Sequence, residues 1–479
     1  MNPPPLWLAL AFPRLPLEAL AVPSSPDALL AVAEERHVVA CSAPAAAAGV
    51  VRQMGVAAAR AMVPALQVVP RRTSQEADAL VRLACWAGRF TPRVAMAPPA
   101  ALLLEIGGSL RLFGGLPALL DAIAGELESL GFAVQHAVAP TPQAALWCAG
   151  SAPGTSCCTS ASLRGILDRL PLNVLADAAA HRLHGFGART LGDVRRLPAA
   201  ALTQRIGPEA LQALARAYGD LPNPQVDFVF PARFSQGLEL PSAVESAGAL
   251  LFAARRLTAA LAGWLAVRKA GIGQCFMHLL HRRGVTPLSL RFATATRDPL
   301  RLERVLRERL ERHVLAAPVE GLRLEADTIA DLPGDDAALF VRGGTTAQAM
   351  PALLERLVAR LGESRVFRLA ANADHRPERA TTRAVAGTAP LAVALPPRPC
   401  WLLAAPRALH EVNGRPHYRG ALMLLAGPER IESGWWDAGE GVGDVRRDYF
   451  VALTADRRWL WVFRDCRLPG GWYLHGFFA

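Results

Sequence analysis

The residues from His184 to Val194 read HGFGARTLGDV, a combination of glycine, threonine and arginine that suits phosphate binding. Gly185 and Gly187 flank Phe186, and Thr190 is placed to cap the helix that follows. This pattern is typical of a helix–hairpin–helix motif, in which a glycine-containing turn lets backbone N–H groups approach a DNA phosphate. The alternative is an ordinary helical hairpin with a glycine C-cap. The basic residues nearby favour non-specific phosphate binding.

The hairpin and its second helix carry positive charge at Arg189, Arg195 and Arg196. In residues 236–330 the candidate contacts to a DNA backbone, at loops and strand ends, are Arg268, Lys269, Arg282, Arg283, Arg291 and Arg297. The formal net charge is +11 and the pI is near 10.0. A basic protein of this size favours a polyanionic partner, most simply nucleic acid, although any single arginine can equally belong to a solvated surface.

A second stretch, FTPRVAMAPPAALLLE at residues 90–105, lacks reactive groups where a strand begins. An apolar run bounded by a Pro-Pro pair and by a Gly-Gly pair predicts a buried strand followed by a turn. The exposed start of that strand holds Ala100 and Ala101, which offer only methyl groups.

Strands and helices alternate along the N-terminal part of the chain. We predict strands near residues 5–12 and 132–139, and amphipathic helices at 74–90 and 117–131. Residues 173–219 are helical with short turns, residues 236–330 again mix strands with helices, and residues 331–350 form a linker. The last segment, 351–479, contains an aromatic-rich β-hairpin, RDYFVAL–TADR–RWLWVFR. The sequence therefore predicts an α+β multidomain protein.

Length and composition exclude several classes of protein. The chain has 479 residues, of which 52% are hydrophobic and 19% charged, so it is globular and too long for one core. Its eight cysteines form no CxxC pair, which argues for reduced thiols in the cytosol and against a zinc site. No uninterrupted apolar run approaches the length of a membrane span. We expect no metal and no other cofactor.

The order of these segments resembles the Y-family (UmuC/DinB-like) translesion DNA polymerases. The resemblance implies a palm and fingers-like domain at 1–165, with fingers at about 22–80. It implies a helix–hairpin–helix thumb at 166–235 and a little-finger-like DNA-binding domain at 236–330. Laid on the family's palm motifs, the metal-binding carboxylate positions fall on Ala9, Ala11, Ala100 and Ala101, while a family glutamate is kept as Glu18.

These replacements decide the expected activity. Nucleotidyl transfer by two metal ions needs carboxylates that bridge the ions, and Mg²⁺ requires oxygen ligands that alanine does not have. The family's fingers motif, whose tyrosine and arginine hold the triphosphate, falls on residues 49–52. Its tyrosine becomes Gly49, and Arg52 is kept as a vestigial nucleotide-binding residue. The resemblance therefore implies a polymerase-like protein that is not an enzyme.

The chain is most similar to an inactive Y-family-like subfamily from bacterial damage-induced (SOS) mutagenesis cassettes. LLLEIGGSLRLFGG, GARTLGDVRRLP and GGWYLHGFFA carry this resemblance. It implies a cytoplasmic, nucleoid-associated scaffold that binds DNA, an ImuA-like RecA-type protein, an error-prone C-family DNA polymerase and the sliding clamp. The clamp-binding peptide is degenerate, since DAALF keeps only Leu339 and Phe340 of that motif. Residues 351–479 would then bind partners.

Two alternatives remain open from the sequence. The first is an active translesion polymerase whose metal site has been rebuilt from Glu18, Glu105 and Asp121. The second is a general helix–hairpin–helix DNA-binding protein with an unrelated enzymatic N-terminal domain. The positions of these carboxylates relative to Ala9 and Ala100 distinguish the first alternative, and a reactive pocket elsewhere would support the second.

Overall fold

The computed structural model describes residues 5–20, 28–315 and 317–332, and residues 353–478 apart from 355, 359, 363–364, 373, 386–397 and 438–443. The chain divides into two compact units, Met1–Arg360 and Leu361–Ala479. The fold is mixed α/β, as the sequence predicts.

The first unit contains four-stranded, three-stranded and five-stranded sheets and the helices that cover them. Its strands are β1 (Trp7–Ala11), β2 (Leu30–Glu34), β3 (His37–Cys41), β4 (Gln67–Pro70), β5 (Val94–Ala97), β6 (Ala101–Glu105), β7 (Gln135–Ala139), β8 (Phe234–Val244), β9 (Ala270–His281), β10 (Val285–Thr296), β11 (Val319–Ala326) and β12 (Ile329–Asp331). Its helices are α1 (Leu15–Glu18), α2 (Ala43–Ala47), α3 (Val56–Met62), α4 (Thr73–Ala87), α5 (Leu116–Ser129), α6 (Pro142–Ser151), α7 (Ser160–Leu167), α8 (Asp177–Gly185), α9 (Leu191–Arg195), α10 (Ala199–Tyr218), α11 (Ala247–Val267) and α12 (Pro299–Arg312).

The four-stranded sheet has the order β5-β6-β1-β7, and every neighbouring pair is antiparallel. Because side chains alternate along a strand, WLALA in β1 sends leucines to one face and alanines to the other. Leu8 and Leu10 pack in the core formed with α4 and α5. Ala9 packs in a separate core with α6 and the helices that follow it. Both faces of this sheet are therefore covered.

The three-stranded sheet, β3-β2-β4, follows β1 in the chain and lies with α2 and α3 around a small core of its own. Its β2 and β4 strands are parallel, joined by the two short helices. This sheet and its helices cover residues 30–70, within the segment predicted as fingers.

Residues 160–218 are helical and contain two glycine-centred turns. The first joins α8 to α9, where Gly187 has a φ of 83°. The second interrupts α10 at Gly207, whose φ of 81° and ψ of 164° are non-helical, and Pro208 follows it directly. Pro cannot donate the backbone hydrogen bond of a continuing helix, so the chain changes direction there.

The five-stranded sheet has the order β10-β9-β11-β8, and β12 pairs with the first residues of β9. The helices α11 and α12 cover one face and enclose a large apolar core with it. The helix α11 is long and apolar enough to cross a membrane, but most of it is buried between this sheet and α4. Its composition therefore reflects a core position.

Two buried arginines hold the five-stranded sheet domain against the four-stranded one. Arg256 of α11 donates to the backbone carbonyls of Glu18, Leu130 and Gly131, and its guanidinium lies 4.3 Å from the ring centroid of Phe132. Arg82 of α4 reaches the other way and donates to the carbonyl of Gly237 at 2.8 Å. Burial lowers the pKa of Arg256 to about 9 and that of Arg82 to about 10. Carbonyl oxygens therefore compensate these cations at the boundary.

The helices α4 and α11 cross at a glycine. A Cβ atom at Gly263 would lie 2.0 Å from the carbonyl oxygen of Cys85 and 2.8 Å from Cα of Trp86. Backbone atoms cannot move aside as a flexible side chain can, so only glycine allows this approach. At the first turn of α11, Gly248 has no atom within 4 Å of the same position.

The second unit is built on an antiparallel six-stranded sheet with the order β16-β15-β20-β19-β18-β17, beside a two-stranded ribbon. Its strands are β13 (Phe367–Ala371), β14 (Thr381–Val385), β15 (Trp401–Val412), β16 (Arg415–His417), β17 (Met423–Ser433), β18 (Val445–Leu453), β19 (Trp459–Asp465) and β20 (Gly471–Phe477). The hairpin read from the sequence corresponds to β18 and β19, which pair around the turn at 454–458. Apolar clusters cover both faces of the sheet.

We expect Gly263→Ala to destabilise the chain by about 2–4 kcal/mol, because the new methyl group would push α11 away from the backbone of α4. The matched control is Gly248→Ala in the same helix, which meets no atom and should stabilise it by up to about 1 kcal/mol through helix propensity. Urea denaturation followed by circular dichroism measures both. Equal effects of the two substitutions would contradict the close crossing.

Candidate nucleic-acid interface

The four alanines that the sequence resemblance aligns with the family's carboxylate positions lie close together in or beside the four-stranded sheet. Ala11 pairs directly with Ala101 across β1 and β6, and the amide of Phe12 donates to the carbonyl of Ala100 at 2.8 Å. Ala9, Ala11 and Ala101 share one face, since Ala9 is two residues from Ala11 and opposite residues of an antiparallel pair point the same way. The sequence motifs therefore bring these positions to one place.

The alanines on this face of the sheet have no metal-binding groups, and part of the face is packed against α6. Ala9 is fully buried in the same core cluster as Ala144 and Cys148 of α6. Ala11 and Ala101, at the strand ends, are only partly buried. A carboxylate at residue 9 would therefore be buried among apolar side chains, where ionisation is strongly disfavoured.

The carboxylates proposed as substitutes do not reach this place. Glu105 pairs with Trp7 at the other end of β6, about 13 Å from Ala101 at the rise of a strand. Its side chain accepts hydrogen bonds from the amides of Gly107 and Leu6. Asp121 lies on α5, which packs against the leucine face. Among the described residues, no group of three or more His, Cys, Asp or Glu side chains is arranged to hold a metal ion.

Glu18 has a structural environment at the boundary between the two α/β domains. One carboxylate oxygen accepts from the amide of Ala133 at 3.0 Å, and its backbone carbonyl accepts from Arg256. The other oxygen, Oε2, is buried with no hydrogen-bond partner among the described residues. Burial raises the pKa of Glu18 to about 7, against the opposing effects of the Ala133 amide and the Arg256 charge.

The kept fingers arginine, Arg52, is exposed in the loop between α2 and α3. Gly49, at the family's tyrosine position, has a φ of 95°, and a Cβ there would lie 2.7 Å from Sδ of Met62. A tyrosine at this position would therefore be strained. The clamp-binding candidates Leu339 and Phe340 lie outside the described residues.

The turn between α8 and α9 has the expected shape, but its backbone N–H groups already donate to acceptors within the protein. Thr190 caps α9 by accepting from the amide of Asp193, and Asp193 in turn accepts from the amides of Arg189 and Thr190, each at 3.0 Å. Those two amides lower the pKa of Asp193. The remaining amides from Phe186 to Asp193 donate to backbone carbonyls of the same domain.

The expectation that backbone N–H groups of this turn stand open to a phosphate is therefore not met. The hairpin presents exposed side chains instead, namely Phe186 and Arg189. Arg195 and Arg196 are also exposed but are engaged with Asp168 and Asp193, each at 2.7 Å. Arg189 is thus the arginine of the hairpin best placed to contact a phosphate, and the assignment of these residues to DNA stays a prediction.

The basic residues of the five-stranded sheet domain do not converge on one pocket. Arg268 and Lys269 precede β9, whereas Arg282 and Arg283 follow it, so the full length of that strand, about 36 Å, separates the two pairs. Arg291 is exposed on β10 between them, opposite Gln274. Any DNA contact would follow the length of the sheet.

Arg268 differs from the other basic residues of this domain because it has a structural role. Its guanidinium donates to the carbonyl of Pro231 at 2.6 Å and lies 4.1 Å from the ring centroid of Trp264. Desolvation lowers its pKa. Lys269, Arg282 and Arg283 are exposed.

Two residues of the outer sheet face were missed by the sequence analysis. Phe276 is 40% exposed on β9, and Arg323 of β11 lies opposite its neighbour His278. The alternation of β9, in which Cys275, Met277 and Leu279 point inward, assigns Phe276 to the open face. An exposed aromatic ring beside arginines suits contact with a nucleic acid.

The chain is similar in sequence to known proteins. The family model described as impB/mucB/samB matches residues 16–149. Two curated proteins named ImuB, from Caulobacter vibrioides strains NA1000 / CB15N and ATCC 19089 / CIP 103742 / CB 15, are each 29% identical over 457 residues. Each of these alignments covers 88% of this chain and 98% of the relative.

Solved structures that match this chain include DinB from Sulfolobus solfataricus, which is 18% identical, with a TM-score of 0.39. An insertion ternary complex of Dbh DNA polymerase, 18% identical, has a TM-score of 0.40. Each match covers 68% of this chain and 100% of the other. Because both TM-scores are low, the assignment rests on the sequence relatives. Residues 16–149 therefore match the impB/mucB/samB family. Over 88% of its length the chain is similar to the ImuB proteins.

We expect Ala9→Asp to destabilise the chain by about 3–5 kcal/mol, because it places a carboxylate without a partner in an apolar core. The matched substitution Ala11→Asp, two residues on at the partly buried strand end, should cost under about 1.5 kcal/mol. Thermal and urea unfolding measure the difference. If the two aspartates destabilise the chain equally little, the sheet face that carries Ala9 is exposed to solvent and not packed.

Glu18 should make stability depend on pH. Since its pKa rises from 4.5 when unfolded to about 7 when folded, the wild-type chain should lose stability as the pH rises through that window. Glu18→Gln removes this dependence, so its stability relative to wild type should increase by about 1–3 kcal/mol between pH 5 and pH 8. Urea denaturation of both proteins at the two pH values tests this. If the difference in stability between the two proteins is the same at both pH values, Glu18 is exposed to solvent in the folded chain.

Proposed function

We propose that this chain is a non-catalytic, Y-family polymerase-like DNA-binding scaffold for error-prone translesion synthesis and damage-induced mutagenesis. The homology to ImuB proteins supports a polymerase-like role of this kind. The observation that carries the absence of catalysis is the pairing of Ala11 with Ala101 on a sheet face whose neighbour Ala9 is buried. Two-metal chemistry has no oxygen ligands there.

In this proposal DNA is bound through exposed cations rather than a reactive pocket. Arg189 contacts phosphates from the hairpin thumb, with Phe186 beside it. The little-finger-like sheet contributes the exposed Lys269, Arg282 and Arg283, spread along its length. Such contacts recognise the backbone and not the bases, so binding is independent of sequence and sensitive to salt.

The remaining parts of the chain recruit the proteins that perform synthesis. The resemblance to the inactive subfamily assigns to it an ImuA-like RecA-type protein, an error-prone C-family polymerase and the sliding clamp. The second unit, Leu361–Ala479, is compact and is the region we assign to the first two partners. Leu339 and Phe340 are the candidate contacts to the clamp.

The test combines DNA binding with primer extension on the same preparations of the full chain. We expect the chain to bind primed DNA but not to extend the primer when nucleotides are supplied with Mg²⁺ or Mn²⁺. An active Y-family enzyme serves as the control for extension. Arg282→Ala with Arg283→Ala should weaken binding and reduce the slope of log K against log salt by about 1–2, since each lost phosphate contact removes roughly 0.9.

Arg304→Ala is the matched control for these substitutions. Arg304 is exposed on α12, which covers the opposite face of the same sheet, so its removal changes the charge of the domain without touching the predicted interface. An equal loss of affinity from Arg304→Ala would refute the assigned surface. Template-dependent extension that disappears in Glu18→Gln or Glu105→Gln would refute the scaffold and favour the relocated metal site.

A further inference from the structure

The six-stranded sheet of the second unit has two chemically different ends. At one end lie the ion pairs Arg430–Asp448, Arg446–Asp444 and Arg467–Asp465, where β17 and β19 finish and β18 begins. At the other end five strands begin or finish with apolar residues. Because the same sheet supplies both ends, general surface composition does not explain the difference.

The strand register places the residues of the second end side by side. Leu424, Ala452, Leu460, Phe477 and Trp401 form one continuous cross-strand row from β17 to β15. The next row contains Met423, Leu453 and Trp459, whose side chains project from the other face. Apolar side chains therefore surround this end of the sheet on both faces.

Several of these side chains are exposed although they are large. We call the following five the apolar end: Trp401, Met423, Leu424, Leu425 and Trp459. Their exposed fractions range from 39% for Leu424 to 69% for Trp401. A cluster of exposed tryptophan, methionine and leucine on one sheet end is typical of a protein-binding surface.

Charge defines the class of partner. The turn that joins β18 to β19 at this end contains Asp456, Arg457 and Arg458, all exposed. Neither arginine forms an ion pair with a residue that the structure describes, in contrast to the arginines of the opposite end. Two free guanidinium groups beside an apolar surface match a segment with apolar side chains flanked by carboxylates.

We propose that the apolar end is a docking site for an acidic, apolar segment of a partner protein. This inference rests on the proposed function of the second unit as the recruiting region. Three of the five side chains are aliphatic and cannot stack on nucleobases as aromatic rings do, which argues against single-stranded DNA as the ligand. A second copy of the chain would bring the same arginine pair against itself.

The test measures binding of the full chain to the two proposed partners, the RecA-type protein and the C-family polymerase, each purified and titrated separately. Trp459→Ala with Leu425→Ser should weaken binding of one partner by at least tenfold, as expected for a buried aromatic anchor. Arg457→Glu with Arg458→Glu should weaken the same complex, and in the wild type its affinity should fall with added salt.

The matched control is Trp435→Ala. Trp435 is 77% exposed in the same unit but follows Ser433, at the opposite end of β17. Its substitution should leave affinity within twofold, and thermal unfolding checks that all variants are folded. Equal binding by wild type and the Trp459 variant, or equal losses from Trp435→Ala, would overturn the docking site while leaving recruitment itself intact.

Failure of both partners to bind the wild-type chain would instead refute recruitment, and with it the docking site. Two further measurements test the class of ligand. Titration with a labelled single-stranded oligonucleotide, if sensitive to Trp459→Ala, would replace a protein partner with DNA. Sedimentation of the chain alone, if it showed self-association abolished by the same variant, would make a second copy the occupant.

Discussion

The close crossing of α4 and α11 is the constraint on which the arrangement of the first unit depends. Gly263 allows the backbones to touch, and no other side chain fits there. Around that contact, Arg256 and Arg82 reach across the boundary in opposite directions and bind backbone carbonyls. Separation of the two domains would break these hydrogen bonds and expose the apolar groups around the helix crossing to water. The five-stranded sheet domain is therefore packed directly against the four-stranded one and is not only connected to it by the chain.

The alanines of β1 and the packing of the four-stranded sheet are connected. Alanine at residue 9 lets α6 pack against β1 with no charged group between them, and the helices after α6 extend that same core. This face of the sheet is therefore an ordinary interior around Ala9, where burial of apolar side chains contributes to stability.

Positive charge is used in three distinct ways in this chain. Arg82 and Arg256 are structural and buried. Arg376, also buried, binds Asp374 and Asp437 within the second unit. Exposed arginines such as Arg189, Arg283 and Arg457 form the third group, to which we assign polyanionic or acidic partners as a proposal. A net charge of +11 therefore overstates the charge available for binding, and the distinction between these groups comes from hydrogen-bond partners and not from residue type.

The sequence by itself determined the mixed α/β fold and the placement of Ala11 and Ala101 at the ends of two strands, because strand period and motif spacing are local properties. It did not determine that Ala9 is covered by α6, that Arg268 belongs to a structural contact, or that Asp193 occupies the amides of the hairpin turn. Nor did it reveal Arg256, which lies inside an apolar helix and binds carbonyls 125 residues or more away in the chain. These features depend on which distant backbone and side-chain groups meet. Only the tertiary structure decides that, since burial and hydrogen-bond partners arise from packing between elements and not from the order of residues within them.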